Sequence, residues 1–284
     1  MLIAFCRCDS SEETFSNVSI VYDNAQAVMY FHTVFQETEN TWAFVHGKVY
    51  EELVETFERG QTHKKITVTY DIDEEEIETN TATVEYNEWE TNGLKLTGAI
   101  RIVVDKNSYR RQNQAARVSL FDFFINGHSV TGIFTVIYRN AERDEEDEEA
   151  EDENDLYFFN VLDGANIREG RANSSALISA TIRNGSYERL AGGETFSPDD
   201  DVWRYWGNMT GTLRDNANMR YTNTVVSTVT VDGETIDVAL RFAPDCRTAR
   251  QGLSVITIAG RDDIMYVYGC DEIYYETETH KIRN

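Results

Sequence analysis

Apolar residues crowd both sides of one Asn-Gly pair in residues 119–138, which read SLFDFFINGHSVTGIFTVIY. Asn126-Gly127 in the middle is a strong signal for a two-residue hairpin turn, because both central residues of a type I′ turn need positive φ. A fold at this pair predicts two antiparallel strands with one buried face and one mixed face. The predicted buried-face pairs are Ile125 with His128, Phe123 with Val130, Phe121 with Gly132 and Ser119 with Phe134. The predicted pairs on the mixed face are Phe124 with Ser129, Asp122 with Thr131, Leu120 with Ile133 and Val118 with Thr135.

Two further segments have the same period of two. Residues 222–242 alternate around Asp232-Gly233, which predicts a second hairpin. Residues 253–269 predict a third hairpin with its turn near 260–263. Only residues 47–60 have the composition of a short helix. The pairs predicted for the second hairpin are Val229 with Ile236, Ser227 with Val238 and Val225 with Leu240. We therefore predict an all-β, antiparallel, β-sandwich-like fold.

An acidic segment divides the chain. Residues 142–155 hold eleven acidic residues and one Arg, a composition that repels itself and cannot bury apolar area. We predict a disordered linker, and the alternative is a segment that attracts Ca²⁺, since hard cations prefer carboxylate oxygen. A repeated order of Thr-Gly, strand, turn and strand, beginning at Thr97 and at Thr210, predicts two similar β-rich parts. The predicted organisation is a tether over 1–20, a β domain over 21–141, the acidic linker over 142–155 and a second β domain over 156–284.

Charge and motifs limit the function classes. The formal net charge is −24, which disfavours nucleic-acid phosphate as a partner. None of the histidines lies in a His-Glu-x-x-His motif, and no nucleophile elbow or phosphate-binding glycine loop occurs. No Cys and His spacing suits a metal. We therefore predict no catalytic residue, no cofactor and no metal, in a protein that is not an enzyme. His128 is predicted to be an exposed residue beside a turn.

The four cysteines bear on the compartment. Cys246 precedes the third hairpin and Cys270 follows it, and the two ends of a hairpin lie close together. A disulfide between them is one prediction, and two buried thiols are the alternative. The run Leu2 to Phe5 before Cys6 resembles the end of a bacterial lipoprotein signal, although an ordinary N-terminus is the other reading of so short a run.

One stretch suggests a ligand. Residues 197–208 read SPDDDVWRYWGN, and in an extended strand Trp203 and Tyr205 share one face while Trp206 lies on the other. Exposed aromatic rings on a sheet stack on sugar rings, so these three residues are the candidate ligand-binding residues. The alternative is that the alternating aromatic residues fill a core.

The order of the motifs supplies a resemblance over about residues 66–278. The hairpin residues that carry it are Phe121, Asp122, Asn126, Gly127, Val130 and Gly132. A Cys-Arg element at Cys246-Arg247 and a Cys-Asp element at Cys270-Asp271 follow. In this order the chain resembles uncharacterised β-rich cell-envelope lipoproteins of the Bacteroidota, which have no established activity. The resemblance implies lipidation at Cys6 and an outer-membrane address, facing the periplasm or the surface.

These observations lead to one leading hypothesis about function. We expect a non-enzymatic, envelope-anchored module that is structural or binds an extracellular glycan or protein, with membrane contact through its lipid anchor only. A secreted carbohydrate-active hydrolase is the alternative, and it would need two facing carboxylates at a defined separation. A cytosolic acidic β protein is a third reading, which predicts free thiols.

Overall fold

The fold was derived from a computed structural model, which describes residues 11–49, 56–60, 63–73, 76–105, 115–140, 155–160, 166–169, 179–192, 201–212, 219–246, 249–270, 272–275 and 278–281. Within these ranges the chain forms one helix, α1 (Ser11–Val49), and eighteen strands. The first part contains β1 (Thr56–Gly60), β2 (Lys64–Asp73), β3 (Glu76–Thr91), β4 (Leu94–Asp105), β5 (Ala115–Ile125) and β6 (His128–Asn140). The second part begins with β7 (Asp155–Asn160), β8 (Asn166–Glu169), β9 (Ser179–Ala191), β10 (Val202–Thr212), β11 (Arg220–Val225) and β12 (Thr228–Val231). It ends with β13 (Glu234–Asp237), β14 (Leu240–Phe242), β15 (Gln251–Ile258), β16 (Ile264–Gly269), β17 (Glu272–Tyr275) and β18 (Glu278–Lys281).

The strands confirm the predicted all-β, antiparallel, sandwich-like fold with two β-rich parts. Sixteen of them form one sheet in the order β1 to β7, then β9, β10, β11 and β15 to β18, with β8 beside β6 and β9 and β14 beside β10 and β15. The strands β12 and β13 pair only with each other. The sheet passes from the first part to the second where β7 pairs with β6 and with β9. The division into two separate domains stays a prediction, and the acidic residues 142–154 lie outside the described residues.

The helix α1 lies inside the fold, where strands from both parts surround it. It contacts β3 and β4 on one side and β9, β16 and β17 on others, and most of its side chains between Ile20 and Trp42 are buried. The predicted helix over 47–60 was wrong, because α1 ends at Val49 and residues 56–60 form β1. Of the predicted tether, residues 11–20 belong to α1 and residues 1–10, with Cys6, lie outside the described residues. Among the described residues, no helix is both long and apolar enough to cross a bilayer.

Four polar residues of α1 are compatible with burial because their side chains bond to carbonyls of their own helix. The Asn24 amide donates to the Ile20 carbonyl at 2.8 Å. Three threonine hydroxyls donate in the same way to the carbonyl four residues earlier, at 2.7–3.0 Å, in the pairs Thr33 to Met29, Thr38 to Val34 and Thr41 to Glu37. A helix that is buried on all sides has no apolar stripe at a period of 3.6. The same back-bonding satisfies side chains that otherwise favour turns.

The first hairpin has the predicted turn, and its register shifts after the first three pairs. Asn126 and Gly127 both have positive φ, and the pairs Ile125–His128, Phe124–Ser129 and Phe123–Val130 are confirmed. A bulge at Phe121 and Asp122 then moves the register by one residue, so the predicted pairs beyond it were wrong. The observed pairs there are Leu120 with Gly132, Ser119 with Ile133 and Val118 with Phe134. Phe121, which does not pair with Gly132, is 51% exposed.

The bulge belongs to a line of irregularities that bends three neighbouring strands. The register also shifts in β3 between Tyr86 and Trp89 and in β4 between Thr97 and Ala99. Gly98, which lies between Thr97 and Ala99, has a φ of +95°. A Cβ atom at Gly98 would collide with the backbone oxygen of Asp122. Since bulges increase twist and bend strands, this line curves the sheet around α1.

The second and third hairpins form as predicted, with one difference. Val229 pairs with Ile236, and the Val238 amide donates to the Ser227 carbonyl at 2.9 Å. Val225, however, pairs with Gly207 and Ser254 rather than with Leu240. In the third hairpin β15 pairs with β16 from Gln251–Gly269 to Ile256–Ile264.

The predicted disulfide between Cys246 and Cys270 is present. The two Cα atoms lie 5.2 Å apart, and 24 positions separate the residues in sequence. The bridge therefore joins the segment before β15 to the end of β16. In the chain-entropy model a loop of this length stabilises the fold by about 3 kcal/mol.

His32 is enclosed where α1 meets the second part of the sheet. Its ring stacks on Phe242, with centroids 3.6 Å apart, and lies 5.5 Å from the ring of Tyr187. Its Nδ1 atom has no hydrogen-bond partner among the described residues. Burial lowers the pKa of His32 from 6.5 to about 3, because the apolar surroundings disfavour the charged ring.

We expect acid to destabilise the fold through His32. Between the unfolded pKa of 6.5 and the folded pKa of about 3, the unfolded chain binds a proton that the native interior excludes. The stability contributed by the neutral ring is complete above pH 6.5 and falls, as pH decreases towards 3, by about 1.4 kcal/mol per pH unit. Between about pH 7 and about pH 5 the wild type should therefore lose about 2 kcal/mol more than His32→Phe. Urea unfolding at both pH values measures this difference, and equal losses in the two proteins would contradict the assignment.

Candidate functional site

The three aromatic residues singled out in the sequence lie on β10, and its alternation divides them. Trp203 and Tyr205 face the interior and are 1% and 3% exposed. Tyr205 packs beside Tyr187 with ring centroids 4.7 Å apart, and burial raises its pKa well above the usual range. Trp206 faces outward and is half-buried. Trp206 lines a groove.

Arg204 holds the Trp206 ring in place. The guanidinium carbon lies 4.7 Å from the ring centroid, within the range of a cation–π contact. Arg204 Nη1 donates to Glu188 Oε2 at 2.8 Å, and Arg204 Nε donates to Asp237 Oδ1 at 3.0 Å. Partial burial acts to lower the pKa of Arg204, but the hydrogen bonds that Arg204 donates to both carboxylates outweigh it and raise that pKa. The ring position is therefore fixed by a network from three strands, β9, β10 and β13.

A groove of about 490 Å³ opens beside Trp206 on the outer face of β9, β10 and β11. Its walls carry small polar side chains, which are Asn184, Ser186, Asn208, Thr224 and Ser227. The Asn184 side-chain oxygen accepts from the Asn208 backbone amide at 3.0 Å, and the Asn208 side-chain oxygen accepts from the Thr224 hydroxyl at 3.0 Å. These bonds use the oxygens, so the NH₂ groups of both Asn side chains can donate to a ligand.

A second groove, of about 520 Å³, continues along the same outer face. Four threonines cross it in one row through β9, β10, β11 and β15, in the pairs Thr181–Thr210, Thr210–Thr222 and Thr222–Thr257. Arg183 and Arg220 also line this groove, and Arg183 Nε donates to Thr210 Oγ1 at 3.0 Å. Asn208 of the first groove and Thr210 of the second are successive outward residues of β10, so the two grooves are neighbours.

The two grooves share an absence of carboxylates. No described residue that lines either of them is Asp or Glu, although the chain has 50 acidic residues. The lining of the two grooves thus offers hydroxyl, amide and guanidinium groups and one aromatic ring. It can bind a polar ligand by hydrogen bonds and stacking, and the described lining residues include no pair of carboxylates.

The other candidate residues lie away from these grooves. His128 is half-buried, and its Nδ1 shares a hydrogen bond of 2.8 Å with the Tyr30 hydroxyl of α1, so the prediction that it is exposed was wrong. His63 is exposed, and its Nδ1 lies 2.8 Å from the Asn87 carbonyl. Within the described ranges no three His, Cys, Asp or Glu residues cluster so that they could hold a metal ion.

The sequence pattern did not identify the polar residues of the grooves. Asn184, Asn208, Thr210 and Thr222 are common residue types, and their shared face depends on which strands become neighbours. The one usable signal was the alternation of Thr and Asn in RYTNTV of β11, which places Thr222 and Thr224 on one face. Comparisons with known protein families, curated proteins and solved structures gave no match, so any functional assignment depends on this geometry.

Proposed function

We propose that the protein is a non-enzymatic binding module that holds a glycan in the groove beside Trp206. The observation that carries the proposal is the half-buried Trp206 ring, fixed by Arg204 beside the amide groups of Asn184 and Asn208. A sugar ring has an apolar face that packs on an aromatic ring and hydroxyls that bond to amide and hydroxyl groups. A ring held in place before binding loses little conformational entropy when the ligand arrives.

The groove favours binding over hydrolysis. Glycoside hydrolysis requires two carboxyl groups about 5 to 10 Å apart that face the scissile bond. The described residues that line the grooves supply none. We therefore assign Trp206 and the two Asn residues to ligand binding and assign no residue to catalysis.

The proposed location is the cell envelope. The Cys246–Cys270 disulfide supports an oxidising compartment, because disulfides persist mainly outside the cytoplasm. The resemblance to envelope lipoproteins supports an anchor on Cys6, which would be the only contact with the membrane. The groove would then present its outer face to glycans in the periplasm or at the cell surface.

Trp206→Ala is expected to weaken glycan binding by at least about tenfold, since a fixed aromatic anchor supplies much of the energy in such a site. Affinity electrophoresis measures this against a panel of soluble neutral, carboxylated and sulfated polysaccharides, and titration calorimetry then measures the best ligand. Trp206→Phe should retain most of the affinity because it keeps a ring.

Phe121→Ala is the matched control, because Phe121 is also an exposed aromatic residue, at 51% exposure, and lies outside the groove. It should bind as the wild type does. Thermal unfolding of each variant shows whether the fold is intact. Wild-type affinity in Trp206→Ala, or no binding of any polysaccharide by the wild type, would overturn the proposal.

A further inference from the structure

Two arginines lie on the outer face, at the end farther from Trp206. Arg183 and Arg220 are exposed, and both line the second groove. Arg220 pairs with Thr212 across β10 and β11, while Arg183 Nε donates to Thr210. The two guanidinium groups therefore belong to neighbouring rows of the same face, on either side of the central strand β10.

Neither arginine forms an ion pair with a described residue. Three other arginines of the second part do form ion pairs, namely Arg204 with Glu188, Arg241 with Asp237 and Arg250 with Asp245. Arg183 uses one N–H for Thr210, and its terminal N–H groups have no partner among the described residues. In a chain with a net charge of −24, two arginines without ion pairs in a groove whose described residues lack carboxylates form a local cationic site.

The distance to Trp206 sets the size of the ligand. Thr210 follows Trp206 by four positions on β10, which is about 13 Å along a strand. A single sugar ring cannot contact both ends of such a face. A chain of several sugar rings can place one ring on Trp206 and another beside the arginines, with the Thr and Asn rows between them.

We infer that the two neighbouring grooves together select an acidic glycan. Its carboxylate or sulfate group binds to Arg183 and Arg220 in the second groove, while a neighbouring ring packs on Trp206 in the first. The inference rests on the proposed function, which it makes more specific. Guanidinium groups match carboxylate and sulfate oxygens in pairs of parallel hydrogen bonds. The described lining residues include no acidic side chain that would repel such a ligand by direct contact.

The test compares each bound acidic glycan with its own uncharged form. Oligogalacturonides and alginate oligosaccharides are the carboxylated probes, their carboxyl-reduced forms are the neutral partners, and sulfated and desulfated oligosaccharides form a second pair. The proteins are the wild type, Arg183→Gln/Arg220→Gln, and Arg101→Gln/Arg117→Gln. The last is a matched control, because Arg101 and Arg117 are exposed residues of β4 and β5 outside the groove and their replacement changes the net charge equally.

We expect the wild type to bind at least one acidic glycan about tenfold or more tightly than its uncharged partner. Arg183→Gln/Arg220→Gln should lower the affinity for the acidic form to about that for its uncharged partner, whereas the control variant should retain the preference. The pair that shows the effect identifies the anion as carboxylate or sulfate.

The failures of the two proposals are distinguishable. Equal affinity for charged and uncharged forms, or a preference that survives in Arg183→Gln/Arg220→Gln, would overturn the acidic-glycan inference and leave the glycan-binding function in place. If the wild type binds neither form of any probe, the proposed function fails and the inference fails with it.

Discussion

Phe35→Ala is expected to lower the free energy of unfolding by about 3–5 kcal/mol, the usual loss for a fully buried aromatic side chain. Phe35 is 0% exposed. Its ring stacks on Tyr187 with centroids 3.9 Å apart and meets Trp203 edge-on at 5.0 Å. Since these residues belong to β9 and β10, the ring joins α1 to the strands that carry the outer groove.

Urea unfolding at neutral pH measures this loss. Gln36→Ala is the matched control, because Gln36 is the next residue of α1 and is only half-buried, so its replacement should change stability by about 0.5 kcal/mol or less. The size of the Phe35 effect depends on how far the surroundings collapse into the cavity. A loss as small as that of the control would show that α1 does not form the central core contact with β9 and β10.

The hairpins could be predicted from the sequence because their signals are local. Asn126-Gly127 and Asp232-Gly233 need only positive φ at neighbouring positions, and all four residues have it. The pairs next to each turn follow directly, as Phe123 with Val130 shows. The register beyond the bulge at Phe121 and Asp122 could not be predicted. The bulge depends on the close approach of Asp122 to Gly98, which belongs to another strand, β4.

The helix α1 could not be predicted for a different reason. Its residues include many β-branched and aromatic types, and burial on every side removes the apolar period of 3.6 that marks a surface helix. What makes it helical is tertiary packing, such as Phe35 on Tyr187, which local propensity does not contain. The grooves have the same origin: Trp206 was visible in the sequence, whereas its Arg204 support depends on Asp237 from β13.

A buried ion pair joins α1 to the first part of the sheet. Lys64 Nζ donates to Glu37 Oε2 at 2.6 Å, and the two side chains are 18% and 5% exposed. The Tyr86 hydroxyl donates to the same oxygen at 2.6 Å. Burial and the neighbouring Glu37 carboxylate both raise the pKa of Tyr86, so this hydroxyl keeps its proton. Lys64 Nζ also lies 5.7 Å from the Trp89 ring.

Lys64→Met is expected to destabilise the protein by about 3–5 kcal/mol, because it leaves the Glu37 carboxylate buried without its cation. Lys95→Met is the control. Lys95 pairs with Glu88 at 2.8 Å on the surface, where water and salt screen the attraction. The unfolding midpoint of Lys95→Met should therefore stay close to that of the wild type. Both variants are measured by urea unfolding.

The double variant Glu37→Gln/Lys64→Met separates the ion pair from the packing around it. Gln keeps an oxygen that can accept the Tyr86 hydroxyl and removes the charge that Lys64→Met leaves uncompensated. The double variant should therefore lose about 1–3 kcal/mol less than the sum of the two single variants. If the losses simply add, Glu37 and Lys64 act on stability independently, and the pair does not account for the attachment of α1 to β2.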